Sequence, residues 1–383
     1  MRTASSLRVT HVSFHRDAAD RQPDALLAAW PTLLGVASAL GRAGVETSIV
    51  LPASEDAIIE REGVRVEFVR VVPTALERAV GRRVVRAPRR VVDAVSRTNP
   101  DVVHVNGLQF PFAIRDLAGQ LRPVPIVVQD HASAAPTGWR RHAWRVGMPR
   151  IAGVTFTVPE QRAPFVAAGV LSPALPAFTV LEGSSTFTTG DQATARAACG
   201  MHGDPCLLWT GHLDANKDPL TILSAFERAA PRLRDARLWC CFGVAPLIHD
   251  VTQRIEQSPV LRDRVTLLGR QPHAQMETHF RAADFFVQGS HRECCSFSTI
   301  EALACGTPPL VTDIPSSRRI VGDAGSLTPV GDANALADAI VDWARRDPAM
   351  GRRYARAHFE RELSFDVIGR ELKGVYTSVL RHA

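Results

Sequence analysis

Two glutamates lie on either side of the start of a predicted helix in the second half of the chain. They are Glu293 and Glu301, within Ser-His-Arg-Glu-Cys-Cys-Ser-Phe-Ser-Thr-Ile-Glu-Ala-Leu-Ala-Cys-Gly-Thr-Pro. Residues 282–290 predict a short buried strand, and residues 296–304 predict a helix that ends at the Gly-Thr-Pro turn. Glu293 is therefore expected in a loop and Glu301 on the helix.

This arrangement suits a phosphorylated sugar. The backbone N–H groups and the positive dipole end of a helix attract a phosphate, and carboxylates accept hydrogen bonds from sugar hydroxyls. A nucleotide sugar carries both groups. The alternative is structural, because a glutamate before a helix is a common first-turn charge and Glu301 could be an ordinary exposed helix residue.

A lysine follows another predicted strand. Residues 207–210 are strand-like, and the sequence then continues Gly-His-Leu-Asp-Ala-Asn-Lys-Asp-Pro from Gly211. Of the 45 Lys and Arg residues, only Lys217 and Lys373 are lysine, so the lysine of this segment is unusual for the chain. A compact ammonium acts as a point charge on phosphate and needs no planar partner.

These two segments, in their order along the chain, resemble the donor-site motifs of retaining glycosyltransferases of family 4, which have the GT-B fold. The resemblance covers roughly residues 7–332 and implies that Lys217 meets the donor diphosphate, Glu293 holds the sugar and Glu301 binds ribose hydroxyls. The predicted donor-binding residues are Gly211, His212, Lys217, Arg270, Glu293, Cys294, Cys295, Ser296, Phe297 and Glu301. Of these, Arg270 comes from the position of nearby loops and not from the family motifs.

Within the donor motifs, the chain departs from the family at two places. His212 occupies the family's arginine position, and a neutral imidazole supplies no fixed charge. The bound phosphate could keep His212 protonated, or the site could bind the donor without catalysing. A second cation could instead come from Arg270, Arg318 or Arg319, and compensation is favoured because the lysine and both glutamates remain. Side chains also replace the family's glycines after Glu293, which leaves the donor's identity open.

The first half of the chain supplies further candidates. Residues 124–131 predict a strand ending in His131, where the family has a histidine that faces the transferred sugar, and ligands of open α/β sheets gather beyond strand carboxyl ends. The alternative for His131 is a surface or capping role. His104 is expected to face into the sheet and to be structural. The acceptor-side candidates are Arg16, Asn106 and Gly107, with a solvated polar loop as the alternative for the arginine.

The alternation of strand-like and helical segments predicts the fold class. A chain of 383 residues exceeds the usual size of one domain. Alternating strands and helices are typical of parallel sheets with crossover helices, so an α/β fold is expected. The resemblance makes it GT-B, with two Rossmann-like, doubly wound domains facing across a cleft. The expected bounds are 1–180 for the acceptor domain, 181–191 for the linker, 192–363 for the donor domain and about 364–383 for a helix packing back.

Charge and cysteine usage bear on partners and location. The basic segment 78–97 carries seven arginines and could contact an anionic membrane, with a solvated basic helix as the alternative. No nucleic-acid partner is expected, because no recognition module accompanies the charge. The seven cysteines lack the spacing of a disulfide framework or a zinc site, which favours reduced thiols in a cytoplasmic protein. Residues 25–40, the longest uncharged run, are expected to form one core helix, too short to span a bilayer.

The expected function is a retaining, metal-independent, hexosyltransferase-like enzyme. It would move a sugar from a nucleotide-diphosphate sugar, with no other cofactor, to an unknown glycan, lipid-linked or small-molecule acceptor. The expected catalytic residues are His131, Lys217 and Glu293, and a phosphate oxygen would take the acceptor's proton. The enzyme would be cytoplasmic, with peripheral contact at the inner face of the membrane. The rivals are a non-catalytic glycosyltransferase-like binding protein and an epimerase of the same fold, for which Asp130 is the candidate carboxylate.

Overall fold

The chain forms two compact units. The computed structural model describes residues 6–17, 19, 21–72, 86–131 and 133–382. One unit comprises Met1–Ser184 together with Phe365–Ala383, and the other comprises Ser185–Ser364. The first crossing between units falls inside the segment 181–191. The second unit is thus one continuous piece of chain, whereas the first is made of two pieces.

The first unit is built on a mostly parallel sheet. Its described strands are β1 Leu7–Ser13, β2 Val45–Ala53, β3 Ala57–Arg61, β4 Val64–Arg70, β5 Val102–Asn106, β6 Ile126–Gln129, β7 Gly153–Phe156 and β8 Ala177–Thr179. They are ordered β3-β4-β2-β1-β5-β6-β7-β8, and only β3 runs antiparallel to its neighbour. The strand order reverses beside β1, so the crevice between the carboxyl ends of β1 and β5 is the expected ligand position of this sheet.

The helices of this unit begin with a break that the sequence prediction missed. They are α1 Pro23–Ala29, α2 Pro31–Arg42, α3 Arg89–Arg97, α4 Pro111–Gln120, α5 Trp139–Gly147 and α6 Ala163–Ala167. The prediction of one helix over residues 25–40 was wrong, because α1 and α2 meet at an angle of 85°. Pro31 lacks an N–H and disfavours helical geometry at Trp30, which therefore caps both helices.

None of the described helices is by itself long and apolar enough to cross a bilayer. Only α1 and α2 taken together would meet those criteria, across their bend.

The second unit has the strand order of a dinucleotide-binding fold. Its described strands are β9 Cys206–Gly211, β10 Arg237–Phe242, β11 Val265–Gly269, β12 Phe285–Gln288, β13 Pro309–Thr312 and β14 Ser326–Thr328. They are all parallel in the order β11-β10-β9-β12-β13-β14, which reverses between β9 and β12. The described helices are α7 Gln192–Cys199, α8 Pro219–Ala229, α9 Ile248–Glu256, α10 Pro259–Arg264, α11 His273–Ala282, α12 Phe297–Ala304, α13 Pro315–Val321, α14 Ala333–Ala344 and α15 Pro348–His358.

The last helix, α16 Phe365–His382, belongs to the first unit and packs against α2. Two glycines permit the close approach. A Cβ on Gly369 would lie 2.7 Å from the carbonyl carbon of Ala39, and a Cβ on Gly35 would lie 2.6 Å from the ring of Phe365. Lys373 adds a hydrogen bond from its Nζ to the carbonyl oxygen at the end of α2, at 2.6 Å. Through these contacts α16 contributes to the core of the first unit.

All seven cysteines fall within the described residues and none forms a disulfide. Five of them are buried. Burial raises the pKa of Cys206 to about 12, so this thiol stays protonated at neutral pH.

Candidate functional site

Two loops meet at the switch point of the second unit's sheet. The loop after β9 and the loop after β12 are joined by hydrogen bonds from the N–H of His291 to the carbonyl of Asn216, at 2.8 Å, and from the Asn216 side chain to the carbonyl of Arg292, at 3.0 Å. Gly289 lets the backbones approach, since a Cβ there would lie 3.1 Å from the carbonyl oxygen of Asp218. The two predicted donor motifs therefore form one surface.

Lys217 and Glu293 contact each other on this surface through Nζ and Oε1. Their side chains are 18% and 13% exposed, so the pair is held at the surface but is largely enclosed. Asp214 accepts a hydrogen bond from the Lys217 N–H at 2.9 Å, and the Ser316 hydroxyl donates to the Glu293 carbonyl at 3.1 Å. An ammonium has three N–H donors, and the contact with Glu293 uses one of them. Two donors remain for an anionic ligand.

The start of α12 is fixed by a buried glutamine. Gln288, at the end of β12, accepts hydrogen bonds from the hydroxyls of Ser296 at 2.9 Å and Thr299 at 3.2 Å. Its Nε2 is buried and has no hydrogen-bond partner among the described residues. The Ser296 hydroxyl is thus directed into the protein, and the backbone N–H of this predicted donor-binding residue is the group left for a ligand. Sequence reasoning did not single out Gln288, although its place at a strand end was a usable signal.

The residues that follow Glu293 differ in exposure. Cys295 is buried, whereas Cys294 and Phe297 are half-buried. The structure thus leaves Cys294 and Phe297 partly accessible beside the ion pair.

Glu301 faces a histidine that the sequence did not indicate. His273, the first residue of α11, lies with its Nε2 2.8 Å from Glu301 Oε1. This hydrogen bond raises the pKa of His273. The imidazole is mostly exposed, and its ring centroid lies 5.1 Å from that of Phe187. Glu301 is 15% exposed and therefore does not behave as an ordinary exposed helix residue.

The arginines proposed to replace the missing family arginine differ in their surroundings. Arg318 donates two hydrogen bonds to Asp313, at 2.5 and 3.2 Å, and is occupied there. Arg319 lies 4.0 Å from Glu362. Arg270 is exposed directly after β11, the edge strand, and His212 is exposed after β9.

In the first unit, His131 lies two residues after β6 and is paired with an acid. Its Nδ1 is 2.6 Å from Glu182 Oε2, and its Nε2 is 3.4 Å from Asn106 Oδ1. Asn106 itself donates to the Val12 carbonyl at 3.4 Å, across the β1–β5 crevice. Glu182 is a site residue that the sequence prediction missed, because it was assigned to the linker. The structure brings together His131 and Asn106, which were predicted separately.

A cavity of about 260 Å³ opens beside this pair. Trp30, Leu33 and Val36 form one wall, and His131 and Glu182 lie among its polar groups. The predicted acceptor residue Gly107 follows β5 with a φ of 111°. Arg16 is half-buried and next to His15 in sequence, but it does not line the cavity.

A buried cluster connects α16 to the cavity. The rings of His11 and His104 stack at 4.4 Å, and the Tyr376 hydroxyl lies 2.8 Å from His104 Nδ1. His104 Nε2 is 3.1 Å from the side-chain oxygen of Gln129, which lines the cavity. Burial lowers the pKa of His11 to about 3 and the pKa of His104 well below its usual range, so both imidazoles are neutral at neutral pH. His104 thus has the structural role expected of it.

The basic segment 78–97 is only partly described, and Arg78, Arg82 and Arg83 lie outside the described residues. Three of the remaining arginines form ion pairs. These are Arg86 with Asp116 at 2.5 Å, Arg90 with Asp56 at 2.9 Å and Arg97 with Glu67 at 2.5 Å. Elsewhere in the described chain, no cluster of three or more His, Cys, Asp and Glu side chains is arranged to hold a metal ion.

Two family profiles match this chain. "Glycosyltransferase Family 4" matches residues 32–161, and "Glycosyl transferases group 1" matches residues 204–346, one in each unit. The chain belongs to glycosyltransferase family 4. The predicted family resemblance is confirmed, and the match includes the loops that carry Lys217 and Glu293.

Curated relatives match part of the chain. The D-inositol 3-phosphate glycosyltransferase of Mycobacterium sp. (strain JLS) is 33% identical over 184 residues, which is 45% of this chain and 40% of that protein. The phosphatidyl-myo-inositol mannosyltransferase of Mycobacterium leprae (strain TN) is 32% identical over 148 residues, which is 36% of this chain and 39% of that protein. The chain thus spans about two fifths of the length of the curated relatives it matches.

Solved structures match nearly the whole fold. A glycosyltransferase from Rickettsia africae ESF-5 superposes with a TM-score of 0.72 at 13% identity, covering 99% of this chain and all of that one. Sucrose-phosphate synthase from Thermosynechococcus elongatus gives 0.67 at 21% identity, covering 98% and 100%. Anabaena Alr3699/HepE, solved in complex with UDP and glucose, gives 0.66 at 18% identity, covering 97% and 100%. These likenesses show that the chain has the GT-B fold, which consists of two Rossmann-like units, as predicted.

Proposed function

We propose that the protein is a retaining glycosyltransferase that moves a sugar from a nucleotide-diphosphate sugar to an acceptor. The observation that carries the proposal is the contact between Lys217 and Glu293 at the switch point of the second unit's sheet. Family membership and the UDP complex of the similar Anabaena structure support it.

In this proposal the second unit binds the donor. Lys217 directs its two remaining N–H donors at the diphosphate, and the N–H groups at the start of α12 add to the positive field. Negative charge grows on the diphosphate as the glycosidic bond breaks, and fixed donors at that point stabilise the transition state. Glu293 holds Lys217 in place and offers its second oxygen to a sugar hydroxyl. Glu301 accepts from ribose hydroxyls.

The family resemblance supplies the stereochemical course. The acceptor hydroxyl attacks the face from which the diphosphate departs, and a phosphate oxygen takes its proton, so no protein base and no metal are invoked. That His131 contacts the transferred sugar, and that Arg270 or a protonated His212 supplies a second cation, stay predictions. A cytoplasmic location is part of the proposal. Peripheral contact with an anionic membrane through the segment 78–97 is also part of the proposal.

The proposal is tested by nucleotide-dependent thermal stabilisation. Selective binding of UDP, GDP or ADP stabilises the folded chain by about 2.7 kcal/mol at roughly 100 times Kd. Lys217→Ala should abolish most of this gain, because a hydrogen bond to a charged group contributes about 1.5–3 kcal/mol. Lys373→Ala is the matched control, since it removes the only other lysine, which caps α2 in the first unit.

A second variant separates lost attraction from new repulsion. In Lys217→Ala, the carboxylate of Glu293 loses its partner and would repel the phosphate of the nucleotide. In the double variant Lys217→Ala and Glu293→Gln, both charges are removed. Weak binding by both variants supports direct contact between Lys217 and the diphosphate. No stabilisation of the native chain by any of the three nucleotides would contradict the proposal.

The non-catalytic alternative is kept because Arg318 is occupied by Asp313 and His212 replaces the family's arginine. Release of nucleoside diphosphate from a bound nucleotide sugar, measured without acceptor, separates the two. Native turnover that Lys217→Ala abolishes supports the transferase, and binding without any turnover supports the inert protein. The epimerase alternative has less support, since Asp130 is buried, accepts a hydrogen bond from the Ser133 N–H at 3.0 Å, and has its pKa raised by burial.

A further inference from the structure

His273 occupies a position in the second unit where a positive charge is normally unfavourable. It is the first residue of α11, and the positive end of the helix dipole lies there. The pKa of His273 is nevertheless raised, and its hydrogen bond with Glu301 is the main cause. The carboxylate thus outweighs the helix dipole and favours the imidazolium.

The imidazole ring is held from two sides. Its Nε2 lies 2.8 Å from Oε1 of Glu301, and its centroid lies 5.1 Å from that of the Phe187 ring. Phe187 is buried, and Arg356 donates a hydrogen bond to its carbonyl oxygen at 3.1 Å. Arg356 also donates to the carbonyl oxygen of Ala304 at 2.6 Å, on the helix that carries Glu301. The ring and the carboxylate are therefore fixed to one support.

The other charged groups near His273 are paired or exposed. Glu277, one turn further along α11, forms an ion pair with Arg281 at 2.5 Å. The segment 185–189, which packs against the ring, carries only uncharged side chains. Arg270, three residues before His273, is exposed, so solvent and salt screen its charge. The carboxylate on α12 is therefore the group that the titration of this imidazole affects.

The contact leaves half of the Glu301 carboxylate for a ligand. Among the described residues, only His273 forms a hydrogen bond with this side chain, and it occupies Oε1. Because one oxygen is held, the carboxylate is restricted in rotation and Oε2 keeps one direction. A restricted acceptor loses less conformational entropy when a hydroxyl binds to it.

We infer that His273 is a positioning residue of the donor site, whose imidazolium holds Oε1 of Glu301, directs Oε2 to a ribose hydroxyl of the nucleotide and takes up a proton when the donor binds. The inference rests on the proposed function, because it takes Glu301 as the residue that accepts from ribose. It adds a proton-linked residue that the family resemblance did not indicate.

Donor binding favours the protonated ring for two reasons. A nucleoside on Glu301 covers the pair, whose imidazole side chain is otherwise 67% exposed, and excluding water strengthens the attraction between carboxylate and imidazolium. The diphosphate also brings negative charge to the same unit. The pKa of His273 should thus rise further on binding, so affinity is highest at low pH and falls as the pH rises through the two pKa values.

The test is isothermal titration calorimetry of the full chain with UDP-glucose, GDP-mannose and ADP-glucose, at about pH 6 and about pH 8.5. These diphosphate diesters have no group of their phosphates that titrates in this range. A titration near neutral pH in two buffers of different ionisation enthalpy counts the protons that are taken up.

Three variants separate the roles of the ring. His273→Gln keeps a neutral N–H donor for Glu301 but cannot titrate, and His273→Ala removes the donor. His249→Gln is the matched control, because His249 is an exposed histidine on α9 of the same unit. Comparison with His273→Gln also removes the contribution of any other histidine that takes up a proton.

We expect the native affinity to fall about three- to fivefold more between the two pH values than that of His273→Gln, at most about 1 kcal/mol, as for an exposed ion pair. Proton uptake should be larger in the native chain than in His273→Gln, and His249→Gln should behave like the native chain. At the higher pH, His273→Gln should bind like the native chain and His273→Ala more weakly than both.

Two results would overturn this inference alone. One is the same pH dependence of affinity and the same proton uptake in the native chain and in His273→Gln. The other is binding by His273→Ala that is as tight as native binding at both pH values. His273 would then only join α11 to α12. No binding of any of the three ligands to the native chain would overturn the proposed function and this inference with it.

Discussion

The stacked pair His11 and His104 should make the first unit sensitive to mild acid. Both imidazoles are buried and neutral, and burial lowers the pKa of His11 to about 3 and that of His104 well below its usual value. In the unfolded chain each would titrate near about 6.5. The unfolded state therefore binds more protons below that pH, so stability is complete above it and falls as the pH approaches 3.

The loss of stability depends on how far the pH lies below the pKa of the histidines in the unfolded chain. At about pH 5 each unfolded histidine is about 1.5 pH units below its pKa, and each unit is worth about 1.4 kcal/mol. Each histidine thus removes about 2 kcal/mol, and the pair about 4 kcal/mol, between about pH 7 and about pH 5. The result does not depend on how low the folded pKa lies, provided that it stays well below 5.

Native-state hydrogen exchange of amides in β1 and β5, corrected for intrinsic exchange rates, measures the free energy of opening of this unit alone. His11→Phe keeps a ring of similar size and removes one of the two buried histidines. It should therefore reduce the loss of stability between about pH 7 and about pH 5 by about 2 kcal/mol. His249→Gln, at an exposed position in the second unit, is the control and should not change it. A loss that is the same in the native chain and in His11→Phe would refute the assignment of a neutral, buried His11.

Three further predictions concern other contacts. Gly369→Leu should destabilise the first unit by about 1–3 kcal/mol, since its side chain would overlap Ala39, and equal urea midpoints for variant and native chain would contradict this. His273→Ala should lower the melting temperature slightly at about pH 6 and less at about pH 8. The raised pKa of His273 means that its hydrogen bond with Glu301 stabilises the folded state fully below about pH 6.5, and this gain is lost as the pH rises through the folded-state pKa. Because the pair is exposed, it contributes at most about 1 kcal/mol. Glu182→Ala should lower kcat while stabilisation by nucleotide stays unchanged, because Glu182 positions His131. Glu182→Gln should recover part of the lost kcat, because its amide oxygen keeps a hydrogen-bond acceptor for His131. An unchanged kcat in both variants would argue against this positioning role.

The fold was largely predictable because each strand has a local signature. Ile126–Gln129 was predicted within a longer run, and the strand and helix around Glu293 and Glu301 were placed correctly, since buried parallel strands appear as short apolar runs. The prediction failed at residues 25–40, where one proline outweighed a continuous apolar pattern.

The site was predictable only where a motif marked it. Lys217 and Glu293 were both named, but their mutual contact joins loops 76 residues apart and has no local signature. Glu182, Trp30 and His273 gain their significance from tertiary position alone. Each is an unremarkable residue in its own segment, and only the folded chain brings it to a cavity or to another charged group.

The ordering of the two units along the chain has a consequence for synthesis. The second unit is the uninterrupted segment 185–364, so it can fold as soon as its own residues have left the ribosome. The first unit begins earlier but lacks α16 until residues 365–382 are made, and until then the face of α2 that carries Gly35 and Ala39 has no helix against it. The unit encoded first is thus the one completed last, because its core lacks α16 until the end of the second unit has been made.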